Sequence, residues 1–102
     1  MSSEGSLDRA LHAIADPTRR RILLVLKQGT ESKTPAPKHI HASCLCGGDI
    51  EERVQLSQPT ISHHTRILAD AGLITGERRG KWTWWRVVPE RLGDMRRLLG
   101  GS

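Results

Sequence analysis

Leu56-Ser57-Gln58-Pro59-Thr60-Ile61-Ser62-His63-His64-Thr65-Arg66-Ile67-Leu68-Ala69-Asp70-Ala71-Gly72 is the stretch that decides the fold. Ser57 is a natural N-cap, and Gly72 suits the left-handed residue that ends a helix. At about 100° per residue, a helix over 58–71 gathers Ile61, His64, Thr65, Ile67, Leu68 and Ala71 on one side. Gln58, Ser62, His63, Arg66 and Asp70 fall on the other. Just upstream, Ile50 and Val54 mark a short helix beginning at Asp49, and Leu56-Ser57 forms a tight turn. Two short helices joined in this way have the form of a helix-turn-helix. The outward set carries short hydrogen-bonding groups near the N-terminus and an Arg one turn later. Such a helix can enter a major groove N-terminus first, with its dipole favouring a nearby phosphate.

Working outward, residues 74–78 and 82–88 alternate as strands around a turn at Arg79-Gly80-Lys81. Pro89 opens a last helix with Leu92, Met95, Leu98 and Leu99 on one side. Toward the N-terminus, Leu7, Ala10, Leu11, Ile14 and Ala15 recur at helical spacing and stop at Asp16-Pro17. Asp16 can cap a second helix with Pro17 in its first position, and Gly29 closes it. The run Ile22-Leu23-Leu24-Val25-Leu26 is apolar nearly all round and belongs at the centre of the core. Residues 30–43 contain Pro35 and Pro37 and break the pattern. A loop of that length is either functional or mobile. The order α-α-α-α-β-β-α is a mainly α (α+β) winged helix-turn-helix, one domain over residues 1–102.

Composition agrees. A chain of 102 residues has room for one modest core. With no Phe or Tyr and only three Trp, that core is aliphatic, which suits short packed helices. Of the net charge of +5, residues 52–102 carry +4, and residues 75–86 alone carry +3 through Arg78, Arg79, Lys81 and Arg86 against Glu77. A basic hairpin tip adds salt-sensitive affinity for a polyanion. Trp82 and Trp84 fall on one strand face and Trp85 on the other, and at least one pair serves as core. The longest apolar run has five residues, far short of the ~20 that span a bilayer. No signal peptide is visible and two cysteines make no disulfide framework, so the chain reads as cytoplasmic with reduced thiols.

Four runs resemble the ArsR/SmtB family of winged-helix repressors: Ala13-Ile14-Ala15-Asp16-Pro17-Thr18-Arg19-Arg20-Arg21-Ile22-Leu23, Leu56 to His64, Leu68 to Ile74, and Gly76-Glu77-Arg78-Arg79-Gly80-Lys81-Trp82 with Trp84-Trp85-Arg86-Val87. The resemblance covers roughly residues 7–92. It implies a homodimer that binds a palindromic operator in double-stranded DNA and lets go when an effector binds. It puts DNA contacts on Ser57, Gln58, Thr60, Ser62, His63 and Arg66, with Arg78, Arg79 and Lys81 as the wing. It assigns the dimer interface to the first and last helices, consistent with the stripes Leu7/Leu11/Ile14 and Leu92/Met95/Leu99. Thr65 departs from the family's usual Leu; it lies at the rim of the core or bonds back to a helix carbonyl.

The effector is less determined. The family's arsenic-sensing box is Cys-x-Cys-Asp-Leu, whereas here Cys44-Leu45-Cys46-Gly47-Gly48-Asp49-Ile50 displaces the pair, so only Cys46 carries over. Trivalent arsenic prefers three thiolates and one chain supplies two. Imidazole plus thiolate from His39, His41, Cys44 and Cys46 suits Ni, Zn and similar ions, with two or three of these on one ion and the partner chain completing the set. A C-terminal His site like that of zinc-sensing relatives is excluded, because no His follows His64. Thiol oxidation, an organic effector, and a winged-helix module that binds protein instead of DNA remain alternatives. An enzyme is not indicated: no nucleophile is accompanied by a base and an orienting acid, and no phosphate loop follows a strand.

Overall fold

Asp16 starts the architecture. Its carboxylate accepts the backbone N–H groups of Thr18 at 2.8 Å and Arg19 at 3.1 Å, and Pro17 takes the first helical position, where no N–H is needed. The computed structural model describes residues 3–28, 32, 34–41, 43–98 and 100. The order is α1 (Ser3–Ile14), α2 (Pro17–Lys27), β1 (Leu45–Cys46), α3 (Gly47–Val54), α4 (Gln58–Asp70), β2 (Ile74–Arg79), β3 (Trp82–Val87) and α5 (Pro89–Leu98). The expected α-α-α-α-β-β-α order therefore gains one strand. β1 pairs antiparallel with β3, Leu45 opposite Trp85 and Cys46 opposite Trp84, giving the sheet order β1-β3-β2. A two-residue strand carries no alternation to read, so only the pairing reveals it. Gly29, expected to close the second helix, lies outside the described residues; α2 is capped by Gln28, whose N–H reaches Leu24 O.

α3 begins at Gly47, two residues before the expected start, because Asp49 folds back on Cys46. One carboxylate oxygen accepts the Cys46 N–H at 3.1 Å and the Cys46 thiol at 3.2 Å, and also the Ser32 hydroxyl of the preceding loop. The turn into α4 is made by Gln55, left-handed at φ 59, followed by Leu56 and Ser57. Within 30–43, the described residues form no helix or strand, only a bend at Thr34 and turns at Lys38-His39 and Ser43.

The core is aliphatic as composition requires: Ala10, Ala13, Ile22, Leu26, Leu45, Ile50, Val54, Ile61, Leu68 and Leu73 are buried in one cluster. α2 is less central than its apolar run suggested, since Leu24 remains 55% exposed. The tryptophans divide as alternation requires. Trp85 packs on the core cluster, while Trp84, 2% exposed, is buried on the opposite sheet face. Trp85 lies across its register partner Gly76, where an added Cβ would come within 2.6 Å of the ring. The hairpin closes with Gly80-Lys81 between paired Arg79 and Trp82, and the positive φ of 61° at Gly80 alone is the type II′ pattern that matches strand twist.

Gly76→Val therefore forces ring and strand apart. Urea unfolding is expected to show a loss of about 1–3 kcal/mol, the usual range for overpacking.

Candidate nucleic-acid interface

α4 is held on three sides, which determines the face it leaves to solvent. Ile61, Thr65 and Leu68 are buried, and the Thr65 hydroxyl donates to Ile61 O at 3.0 Å. The departure from Leu at Thr65 is thus accommodated by a bond back to the helix's own carbonyl. Gln58 at the helix start donates its amide to Gly47 O at 2.8 Å and to the Glu51 carboxylate at 2.7 Å, bracing α4 on α3.

A second brace comes from Arg19, a residue that sequence reasoning did not single out. Its guanidinium is buried and donates Nε to Ala13 O at 2.6 Å and Nη2 to His12 O at 3.3 Å, while Nη1 lies 3.2 Å from His64 Nδ1. It thereby ties the end of α1, α2 and α4 together. No local pattern marks Arg19 off from Arg20 and Arg21, so nothing in the sequence distinguishes it. Burial pushes the His64 pKa below its ordinary 6.5 and the facing Arg19 and His63 add to this, against the opposing pull of Asp16. The Asp16 carboxyl is held below its ordinary range chiefly by the Arg19 backbone N–H.

Ser57, Ser62, His63 and Arg66 are exposed on α4, and Thr60 is half-buried with its hydroxyl 3.1 Å from that of Ser57. Arg78, Arg79 and Lys81 are exposed on the hairpin. Ser62, Arg78 and Lys81 line one cleft of about 250 Å³ between α4 and the hairpin. Arg79 pairs with Glu77 at 2.6 Å, so part of the hairpin's charge is neutralised within the chain. Lys81 Nζ sits 5.4 Å from the Trp82 ring, and that ring packs against Gly47 and Gly48, where a Cβ would meet it at 3.3 and 3.0 Å. The turn end of the hairpin thus rests on the start of α3, where two glycines leave room for the ring.

The cysteine and histidine candidates separate. His39, His41 and Cys44 line a cleft with Glu77 and Arg86 from the hairpin. Cys46 is fully buried, and its thiol is engaged with Asp49. Burial raises the Cys44 pKa and Glu77 adds to it, while Arg86 opposes. His41 Nδ1 accepts the Ser43 N–H at 3.1 Å. Among the described residues, no three His, Cys, Asp or Glu are arranged as a metal cage. Of the residues expected at the dimer surface, Leu7, Leu11, Ile14 and Leu92 are half-buried. Met95 is a correction: only 6% exposed, it belongs to the chain's own core. Leu99 lies outside the described residues.

Residues 42–75, which span β1, α3, α4 and the turn into β2, match the family described as "Bacterial regulatory protein, arsR family". The transcriptional repressor SdpR of Bacillus subtilis is 35% identical over 88 residues, 86% of this chain and 82% of that one. The chain belongs to the arsR family. It is a DNA-binding transcriptional regulator and not an enzyme. The arsenical resistance operon repressor of Staphylococcus xylosus is 35% identical over 86 residues, 84% of this chain and 69% of that one. The homodimeric winged helix-turn-helix DNA-binding domain from Mycobacterium bovis, solved by NMR, superposes with a TM-score of 0.69 at 18% identity, covering 98% of this chain and 85% of that one.

Two measurements check the braces. Arg19→Met leaves the buried Ala13 carbonyl of α1 without its donor and is expected to cost about 1–3 kcal/mol of stability by urea unfolding. His64 has a folded pKa below its unfolded value, so the unfolded chain takes up this proton first. Its contribution is present above pH 6.5 and is lost as pH falls from there through the folded value. The urea midpoint of the native chain should drop between pH 7.5 and 5.5, and His64→Gln should flatten that drop.

Proposed function

We propose that two copies of the chain bind a palindromic operator as a repressor, each presenting α4 to a major groove and its wing to flanking phosphates, and that a metal or metalloid ion releases them. The observation that carries the DNA arrangement is the cleft shared by Ser62, Arg78 and Lys81, which sets a hydrogen-bonding helix face beside a cationic hairpin. Ser62, His63 and Arg66 take the base-reading role, with Ser57 and Thr60 at the helix start near a phosphate. Arg78, Lys81 and, when released from Glu77, Arg79 neutralise backbone charge. Gln58 acts mainly as the brace between the two helices, because its amide is engaged inside the chain.

Dimerisation rests on α1 and α5 through Leu7, Leu11, Ile14 and Leu92, supported by the homodimeric Mycobacterium bovis relative in fold. Two-fold symmetry then sets the half-sites about 34 Å apart. The regulator works in the cytoplasm; no described helix is long and apolar enough to cross a membrane.

The effector reading draws on the Staphylococcus xylosus relative, an arsenical resistance operon repressor, and on donor chemistry. Cys44, His39 and His41 share a cleft and suit thiophilic and borderline ions such as As(III), Ni or Zn. Ligation by Cys46 as well would take its thiol from Asp49 and disturb the cap of α3, the first helix of the helix-turn-helix. That is a direct route from ion to DNA-binding unit. The burial of Cys46 also disfavours thiol oxidation as the trigger.

Anisotropy titrations on a palindromic duplex test the DNA assignment. Arg66→Ala and Ser62→Ala should weaken operator binding, by about 1–3 kcal/mol if bidentate base contacts are lost, and an unchanged affinity sinks the assignment. Lys81→Ala should weaken all duplexes alike and lower the salt slope by about one. In a panel including arsenite, nickel and zinc, at least one ion should release wild-type protein from the operator. The Cys44→Ser/Cys46→Ser variant should stay bound with that ion present.

A further inference from the structure

Away from both the DNA face and the His/Cys cleft, a cavity of about 610 Å³ opens between α2, the end of β3 and α5. Its size falls within the range of small-molecule sites, roughly 300–1,000 Å³. Leu26, Val87 and Leu92 supply apolar wall, and the exposed cations Lys27 and Arg96 lie on separate helices. Its lining, among the described residues, includes no acid.

Gly93 is the telling residue. It stands inside α5, where glycine is the poorest helix former after proline. Packing does not demand it: an added Cβ would meet only Arg97 Nη1, at 3.6 Å, and the backbone is not left-handed there. Gly93 does line the cavity, and any larger side chain would occupy it. The local sequence thus gives up helix propensity at a position whose one structural effect is to leave space.

We infer that this cavity binds an organic carboxylate with an apolar body, its hydrocarbon against Leu26, Val87 and Leu92 and its carboxylate toward Lys27 and Arg96. Apolar burial supplies affinity and the two cations select the charge. The site lies under a helix that Arg91 ties elsewhere in the chain, donating Nη2 to Ser6 O at 3.2 Å in α1 and Nε to Ala71 O at 3.4 Å at the end of α4. This inference is independent of the metal reading above.

Methyl-resolved NMR of the full chain, titrated separately with decanoate, 2-naphthoate, decan-1-ol and decylamine, tests it. Decanoate or 2-naphthoate should shift the Leu26, Val87 and Leu92 methyls saturably, and whichever binds more tightly distinguishes an aliphatic from an aromatic body. Decan-1-ol should bind at least tenfold more weakly, and decylamine not at all. Gly93→Leu should keep a folded spectrum and lose uptake tenfold or more. Independently of that variant, Lys27→Glu/Arg96→Glu should lose carboxylate binding while keeping its response to decan-1-ol. Equal binding of decylamine, non-saturating shifts spread over the surface, or undiminished uptake by both variants overturns the inference. Each titration is run at a protein concentration that holds the chain as a dimer, so that the shift of Leu92 on dimerisation is constant. Uptake that disappears under that condition also overturns the inference, since the occupant is then a second copy of the chain.

Discussion

One buried guanidinium holds the DNA-reading unit to the rest of the chain. Arg19 reaches back to the carbonyls of His12 and Ala13 and sideways to the His64 ring. Without it the Ala13 carbonyl at the end of α1 would lose its donor in the protein interior, while the His12 carbonyl would keep the Ala15 N–H. A charge can be buried there because each of the three guanidinium nitrogens meets an acceptor. Burial lowers the His64 pKa, and the facing Arg19 adds to this, since a protonated ring would set two cations against each other. Together with the buried Ile61 and Leu68 and the Gln58 brace, this side chain sets the orientation of α4 and with it the exposure of Ser62, His63 and Arg66.

Space governs the wing as charge governs α4. Three tryptophans in four positions of β3 are a heavy load for a six-residue strand, and three glycines accommodate two of them. Gly76 lets Trp85 lie flat between hairpin and core, and Gly47 with Gly48 lets Trp82 rest on the start of α3. The hairpin therefore stands at a fixed attitude to the helix-turn-helix, held by aromatic packing and not by its own turn. On the opposite sheet face, Trp84 is buried beside Cys46, which places the aromatic load and the sulfur chemistry in one small region.

Much of this was legible in the sequence because it is periodic or local. The inner face of α4, the cap at Asp16, the place of the hairpin turn and the split of the tryptophans all follow from spacing and turn chemistry, although pairing takes Arg79 into β2 and leaves a turn of two residues where three were expected. Long-range pairing was not legible. β1 is too short to show alternation, and Leu24 and Met95 exchange their expected environments because helical spacing defines a stripe but not what covers it. The roles of Gln58 and Arg19 were hidden for a related reason. A polar side chain on a helix reads the same whether it faces a base, a carbonyl or water. Cys46 and Asp49 could have been found, since three-residue spacing at a helix start is a capping pattern; the metal resemblance drew the reading elsewhere.

With Gln58 turned inward, the DNA-reading surface proposed for α4 starts a full turn late. From Ser62 to Arg66 the helix advances only about 6 Å at 1.5 Å per residue, less than two base-pair steps along a duplex. A window so narrow carries little sequence information, and copies of any such short word abound in a genome. The discrimination a repressor needs must then come from requiring the word twice at a set spacing, and from the stiffness of the uncontacted base pairs between. In that sense an amide committed to holding two helices together shifts the burden of specificity from the single chain to the spacing of the sites it occupies.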